Sequence, residues 1–289
     1  MLGRAMTKST TSTPPTAQPG HAGDKAFSGS IPRLYETYLV PLIFEPYARD
    51  LVDRLMEHRP ARILELAAGT GVVTRAMATR LPADVSIVAT DLNQAMLDQA
   101  AAVGTSRPVT WQQADALRLP FEAGQFDAVV CQFGSMFFPD KGQAFAQVHR
   151  VLRPGGVFIF NVWDRLAANE LAAAVTDALG AVFPEDPPRF MDRIPHGYFD
   201  PAAIARDLAA GGFTAAPRID TVSARGRAAS ARIAAIAYCQ GTPMRNEIEA
   251  RDAGRLEAAT DAAEDAVARQ FGRGPIDSAI QALVVTVPR

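Results

Sequence analysis

Ala61-Arg-Ile-Leu-Glu-Leu-Ala-Ala-Gly-Thr-Gly-Val-Val-Thr74 decides the fold. The apolar run 63–66 predicts a short strand, two alanines with Gly69 and Gly71 predict a tight turn, and the residues from there to about 80 predict a helix. Strand, turn and helix in that order make a nucleotide-binding crossover. Glycine suits the turn because, lacking Cβ, it tolerates positive φ and lets a ligand approach the backbone, while Thr70 and the amides after it sit at a helix start. Two glycines also occur in turns for steric reasons alone. Thr74 stands where a dinucleotide fingerprint carries its third glycine.

Outward from this stretch, each further motif marks an end of a strand. Residues 85–90 are a β-branched strand that delivers Asp91, twenty residues beyond Gly71, where a carboxylate accepts both hydroxyls of a ribose. Residues 109–114 end in Asp115-Ala116, followed by Leu119-Pro-Phe121; Phe126-Asp127 opens a buried strand over 126–131; and Leu152-Arg-Pro-Gly-Gly156 turns into a strand over 156–162. With helices near 71–81, 93–103 and 141–152 between them, the strands predict a parallel, doubly wound α/β sheet. Ligands on such sheets bind beyond the strands' carboxyl ends, where Gly69, Asp91 and Asp115 fall. Asp127 lies at the opposite end of its strand and reads as structural.

Glu65-x-Ala67-x-Gly69-x-Gly71, Asp91, Asp115-Ala116, Phe126-Asp127 and Leu152-Arg-Pro-Gly-Gly156 together resemble the class I S-adenosylmethionine-dependent methyltransferases, over about residues 61–164. The small-molecule branch of ubiquinone and menaquinone methyltransferases is nearest. The resemblance implies a mostly parallel seven-stranded sheet with an antiparallel last strand, N-terminal lid helices and helical insertions on the substrate side. It implies S-adenosyl-L-methionine as cofactor, no metal, and methyl transfer to O, C or N of a small, largely apolar or aromatic metabolite. In that frame Glu65 orders the glycine loop and the cofactor's amino end, Gly69 and Gly71 allow close approach beside Ala67 and Thr70, and Asp91 takes the ribose hydroxyls. Leu92 packs on adenine, Met96 belongs to the same set, and Asp115 accepts the adenine amino group beside Ala116. Gln132 and Phe133 border the methionine portion and the transferred methyl. Ala67 replaces the family's first glycine, a modest change where φ is negative.

Residues 1–28 are mostly Ser, Thr, Pro, Gly and Ala with few large apolar side chains, which predicts a disordered tail. Residues 29–60, broken by Pro41 and Pro46, predict two or three short helical pieces. By resemblance they form the lid, with Tyr38 towards the cofactor and Tyr35 towards the substrate; the competing reading makes both tyrosines core aromatics. The cofactor core spans 61–164. Residues 165–289 read as the remainder of the same domain, with helices near 168–182, 201–210, 229–238 and 244–271 capping the substrate side and strands near 219–223 and 281–287.

A net charge of −2, with no basic stripe, argues against a nucleic-acid partner. The sequence holds no apolar run long enough to span a bilayer and no secretory signal, and its two cysteines, Cys131 and Cys239, give no disulfide framework or spaced metal site. A soluble, cytoplasmic protein acting on a small molecule is the expectation, with a homo-oligomer left open.

Substrate-side candidates are Met136, Phe137, His196 and Tyr198, within an aromatic set that includes Phe138, Phe190, Met191 and Phe199. Arg189, Arg193 and Arg245 are candidates for an anionic group, or plain surface arginines. His196, in the connector after the fifth strand, is the candidate catalytic base, since a loop histidine with a pKa of about 6.5 accepts protons at neutrality; a lone histidine is also often structural. Two other functions fit the same pattern. One is an NAD(P)-dependent oxidoreductase on a Rossmann fold, against which Thr74, Asp115-Ala116 and the Pro-Gly-Gly turn weigh. The other is a non-catalytic cofactor-binding scaffold or sensor.

Overall fold

In the computed structural model, which describes residues 22–289, the period-2 alternation of strand side chains builds a separate core on each face of one sheet. The strands are β1 (Arg62–Leu66), β2 (Ser86–Asp91), β3 (Thr110–Gln113), β4 (Phe126–Gln132), β5 (Leu152–Trp163), β6 (Arg218–Ala228) and β7 (Ile276–Pro288). Between and around them run α1 (Ile31–Leu34), α2 (Glu45–Glu57), α3 (Val72–Arg80), α4 (Gln94–Val103), α5 (Lys141–Val151), α6 (Glu170–Val182), α7 (Phe190–Arg193), α8 (Pro201–Ala210), α9 (Ala231–Gln240), α10 (Met244–Arg251) and α11 (Leu256–Phe271). Ile63, Ala128, Val130 and Ile159 pack with Leu51 and Leu55 of α2 and Met77 of α3. Their neighbours Leu64, Val129, Phe158 and Phe160 face the other way, into a larger core with α5, α6, α9 and α11.

The sheet order is β3-β2-β1-β4-β5-β7-β6. β1 to β5 pair in parallel and β7 runs antiparallel to both β5 and β6, as expected for the last strand. Strand order reverses between β1 and β4, so the crevice for a ligand opens beyond Leu66 and Gln132. Caps fix where several helices begin: Asp140 accepts from the Gln143 amide (2.8 Å) ahead of α5, and Asp200 from the Ala202 amide (2.9 Å) ahead of α8. Among the described residues no helix is long and apolar enough to cross a membrane.

The N-terminal helical pieces abut instead of separating. α1 continues into a π-helix, Tyr35–Phe44, and then α2. Pro41 lies inside the π-helix, whose wider turn accommodates a residue that lacks an amide hydrogen, and Pro46 sits in the first turn of α2, where no amide partner is needed. Leu39, Val40, Leu42 and Ile43 are buried in the main core, and Leu39, Ile43 and Phe44 of this segment also line the cavity described below. The tail expected over 1–28 lies outside the described residues as far as 21; beyond that the chain is folded, because residues 22–25 form a 3-10 turn whose Asp24 is buried and ion-paired with Arg193.

Candidate functional site

The turn after β1 holds three successive left-handed residues at alternate positions: Ala67 at φ 50°, Gly69 at 57° and Gly71 at 85°. It is stitched by Ala68 N–H to Thr90 C=O and Gly71 N–H to Ala68 C=O, both 2.9 Å. The positive φ corrects the expectation for Ala67, whose Cβ makes that conformation unfavourable by about 1–2 kcal/mol. The role expected of Gly71 also changes. It does not line the cavity described below; a Cβ there would lie 2.9 Å from the Trp111 ring, so the glycine serves packing between the turn and β3.

Glu65 lies under the same turn on the α3 face, 1% exposed, accepting the Thr74 hydroxyl at 2.5 Å. Burial raises its pKa to about 8, and the Thr74 bond and the Arg75 charge only partly offset that. Asp91, at the end of β2 and 7% exposed, accepts Gly69 N–H on one oxygen (2.9 Å) and Asn93 N–H on the other (2.8 Å). Desolvation raises its pKa while those amides oppose the rise. Asn93 Nδ2 also reaches the second oxygen at 3.5 Å, so the oxygen that accepts Gly69 N–H is the less occupied one. Asp115 is exposed, with one oxygen accepting Leu117 N–H at 2.9 Å.

These residues open onto one cavity of about 1230 Å³, counted out to its mouth, at the carboxyl ends of β1 to β5. One part of its lining is Ala67, Gly69, Asp91, Leu92, Met96, Asp115 and Ala116. Leu92 is among the few large apolar side chains left exposed, at 45%. The other part is aromatic. Phe133, held at φ 51° by its amide's bond to Asn161 Oδ1 (2.9 Å), stacks on Trp163 with 3.8 Å between ring centres and 5° between planes. Phe44, Met136, Phe137, Phe190 and Met191 continue that wall. Gln132 anchors its amide nitrogen on the Phe44 carbonyl (3.3 Å), leaving its Oε1 buried without a donor.

The structure separates the remaining candidates. Tyr35 lines the cavity, beside the glycine turn: a Cβ on Gly69 would lie 3.8 Å from its hydroxyl, and its ring stacks on Phe44 at 5.1 Å. Burial pushes its pKa well up. Tyr38, Thr70, Phe199 and Tyr198 are not on the lining. Thr70 has a buried hydroxyl without a partner. Tyr198 donates to Asp207 at 2.7 Å and takes the Lys141 ammonium on its ring face, a packing role. Arg189, Arg193 and Arg245 are engaged by Asp192, Asp24 with Glu247, and Glu249 respectively. Trp163, Tyr238, Thr242, Lys25 and Phe27 line the cavity without having been singled out. Trp163 ends β5 as Asp91 ends β2, a signal already in the strand pattern; Tyr238 and Thr242 arrive only through the docking of α9.

His196 lines the cavity near Trp163, with 6.1 Å between ring centres, yet is only 5% exposed. Its Nδ1 is 2.7 Å from the Asp164 carbonyl oxygen, which can only accept, so Nδ1 carries the proton and Nε2 the lone pair. Desolvation lowers its pKa to about 4, against the weaker opposite pull of that carbonyl. A base poised at neutrality is therefore not what the fold holds. His196 is a neutral acceptor, and takes a proton well only if the charge left on a ligand stays beside it.

Among the described residues no cluster of His, Cys, Asp or Glu is arranged to hold a metal. Residues 64–160 match the methyltransferase domain family. The chain is 33% identical over 168 residues to a demethylmenaquinone methyltransferase of Deinococcus radiodurans, covering 57% of this chain and 66% of that protein. It is 37% identical over 139 residues to a demethylmenaquinone methyltransferase of Thermus thermophilus, covering 47% and 59%. The chain thus spans just under two thirds, or less, of the length of these curated relatives. In fold it is similar to a phosphoethanolamine N-methyltransferase 2 of Haemonchus contortus solved with phosphomonomethylethanolamine and S-adenosylhomocysteine, with TM-score 0.55, 15% identity, and 89% of this chain and 57% of that one covered.

Proposed function

We propose that this chain, which belongs to the class I S-adenosylmethionine-dependent methyltransferases, transfers a methyl group to the ring of a small, flat, apolar aromatic acceptor that carries a hydroxyl, in the manner of a quinol. The observation that carries the reading is the continuity of one cavity from Gly69, Asp91 and Asp115 to the stacked rings of Phe133 and Trp163. The names of the two demethylmenaquinone methyltransferases agree with it.

The residues suit the cofactor. Asp91 has a lone pair beyond the Gly69 amide on one oxygen, and on the other a donor only at 3.5 Å beyond the Asn93 amide, for ribose hydroxyls; Leu92 leaves an apolar face exposed for adenine, and Asp115 has a second oxygen for its amino group. The donor-less Gln132 Oε1 suits an ammonium, and Tyr35 closes over the glycine turn. When bound, S-adenosylmethionine supplies an electrophilic methyl and leaves as the neutral thioether.

The chain's own work is positioning and exclusion of water, which supply most of what such a displacement needs. The wall that ends in the stacked Phe133 and Trp163 positions the acceptor ring, and Nε2 of His196 accepts a hydrogen bond from its hydroxyl, turning the ring; the hydrogen displaced from the methylated ring carbon leaves to water as a proton. The test is transfer of label from methyl-labelled S-adenosylmethionine to naphthalenediols, catechols and indoles. Label on a ring carbon of a naphthalenediol supports the reading; label confined to its oxygens, or turnover confined to non-aromatic acceptors, contradicts it.

A further inference from the structure

We infer that Lys25 reads an anionic group, a carboxylate in the simplest case, on the acceptor at the mouth of the cavity; the inference rests on the methyltransferase reading and adds to it a charge on the substrate. Besides the neutral His196, the charged side chains on the lining are Asp91, Asp115 and Lys25, so Lys25 is the one cation there among the described residues. Among those residues its ammonium has no carboxylate, carbonyl or ring partner.

Its placement is built. On one side Asp24, 3% exposed, takes two guanidinium nitrogens of Arg193, which also donates to Glu247 at 2.5 Å. Asn246 Nδ2 ties down the Gly23 carbonyl at 3.0 Å and the Ala26 carbonyl on the other side at 3.2 Å. The backbone that carries Lys25 is thus fastened to α7 and α10 on both flanks, while no described residue takes the side chain's ammonium. Phe27, two residues on, meets both Tyr35 and Phe137 edge-on at about 6 Å, so the aromatic wall runs out to the same place. A flat ring held on that wall presents its outer substituent to the ammonium. Lys141 adds positive charge on this side, but its ammonium is taken by the carbonyls of Met136 and Phe138. An ammonium meeting a carboxylate forms a charge-assisted bond that a neutral ester cannot replace.

The test is binding of naphthoate and of its methyl ester to the full chain loaded with S-adenosylhomocysteine, measured by calorimetric titration. The wild type should bind the acid about tenfold more tightly than the ester, a difference of about 1.4 kcal/mol. Lys25→Gln should abolish that preference with ester affinity unchanged, and Lys25→Arg should retain most of it. An undiminished preference in Lys25→Gln, equal binding of acid and ester by the wild type, or no saturable binding of the acid would overturn the assignment. So would weaker S-adenosylhomocysteine binding in Lys25→Gln with the preference intact, which would give Lys25 to the cofactor's carboxylate. Failure of the wild type to bind S-adenosylhomocysteine at all would instead remove the underlying methyltransferase reading.

Discussion

Ala67 and Gly134 meet where the ends of β1 and β4 flank the crevice, so closely that a Cβ on Gly134 would overlap the Cβ of Ala67. The Ala67 methyl is therefore accommodated twice, by its own left-handed backbone and by the absence of a side chain opposite.

Ala67→Gly should stabilise the protein by about 1 kcal/mol, because relief of the left-handed penalty outweighs the extra freedom that glycine gives the unfolded chain. Gly134→Ala should be strongly destabilising, and less so in the Ala67→Gly background, where only the Cys131 sulfur, 2.9 Å from the added Cβ, still opposes it. Denaturant unfolding of the two single variants and the double variant measures this. Additive effects would show that the two positions do not press on each other.

Glu65 makes the cofactor-free protein sensitive to alkali. Its pKa is raised from an ordinary 4.5 to about 8, so the unfolded chain loses this proton first and the folded state falls behind as pH rises between those values. Glu65→Gln keeps an acceptor for the Thr74 hydroxyl and removes the buried charge. At about 1.4 kcal/mol per unit of pKa shift, it should be more stable than the wild type by at least about 1 kcal/mol at pH 8, with the advantage gone at pH 4.5. Thermal unfolding at the two pH values reads the difference; an advantage that grows towards acid would refute the assignment.

His196 works in the opposite direction. Its pKa is lowered from 6.5 to about 4, so the unfolded chain takes up the proton first as pH falls through that window, and stability is lost on the acid side. In turnover it should give no inflection near neutrality, because it is already neutral there. His196→Asn keeps a donor for the Asp164 carbonyl and removes Nε2; it should lower kcat/KM by about tenfold, the scale of a lost hydrogen bond and below the roughly 10²–10⁴-fold of a lost general base. A neutral-pH inflection that vanishes in the variant would restore the base that sequence alone suggested.

The sheet was legible because its signals are local: Ile63 to Leu66 and Phe126 to Cys131 alternate between two buried faces, and Gly69, Asp91 and Asp115 stand at consecutive strand ends. The closing strands β6 and β7 were visible only over 219–223 and 281–287; the missed parts pair with each other, 224–228 mostly half-exposed or exposed and 276–280 with buried Ile276, Ser278 and Ile280 alternating with more exposed residues. Backbone sign at Ala67 was not legible, since alanine adopts φ 50° only under the tertiary constraint at Gly134. Nor was the environment of His196: a connector residue looks exposed in sequence, and what buries it is the Asp164 carbonyl and the Trp163 ring from β5 and its exit. The N-terminal boundary moved for a similar reason, because Asp24 is held by Arg193 and Glu247, far along the chain.

The central claim is that the ends of β1 to β4 hold the adenosyl cofactor through Asp91, and calorimetric titration of S-adenosylhomocysteine into the wild type and Asp91→Asn tests it most directly. The wild type should bind one equivalent, and the variant should bind more weakly by about 1.5–3 kcal/mol, the range for hydrogen bonds to a charged group. No saturable heat with the wild type, or the same dissociation constant for both proteins, would contradict the account.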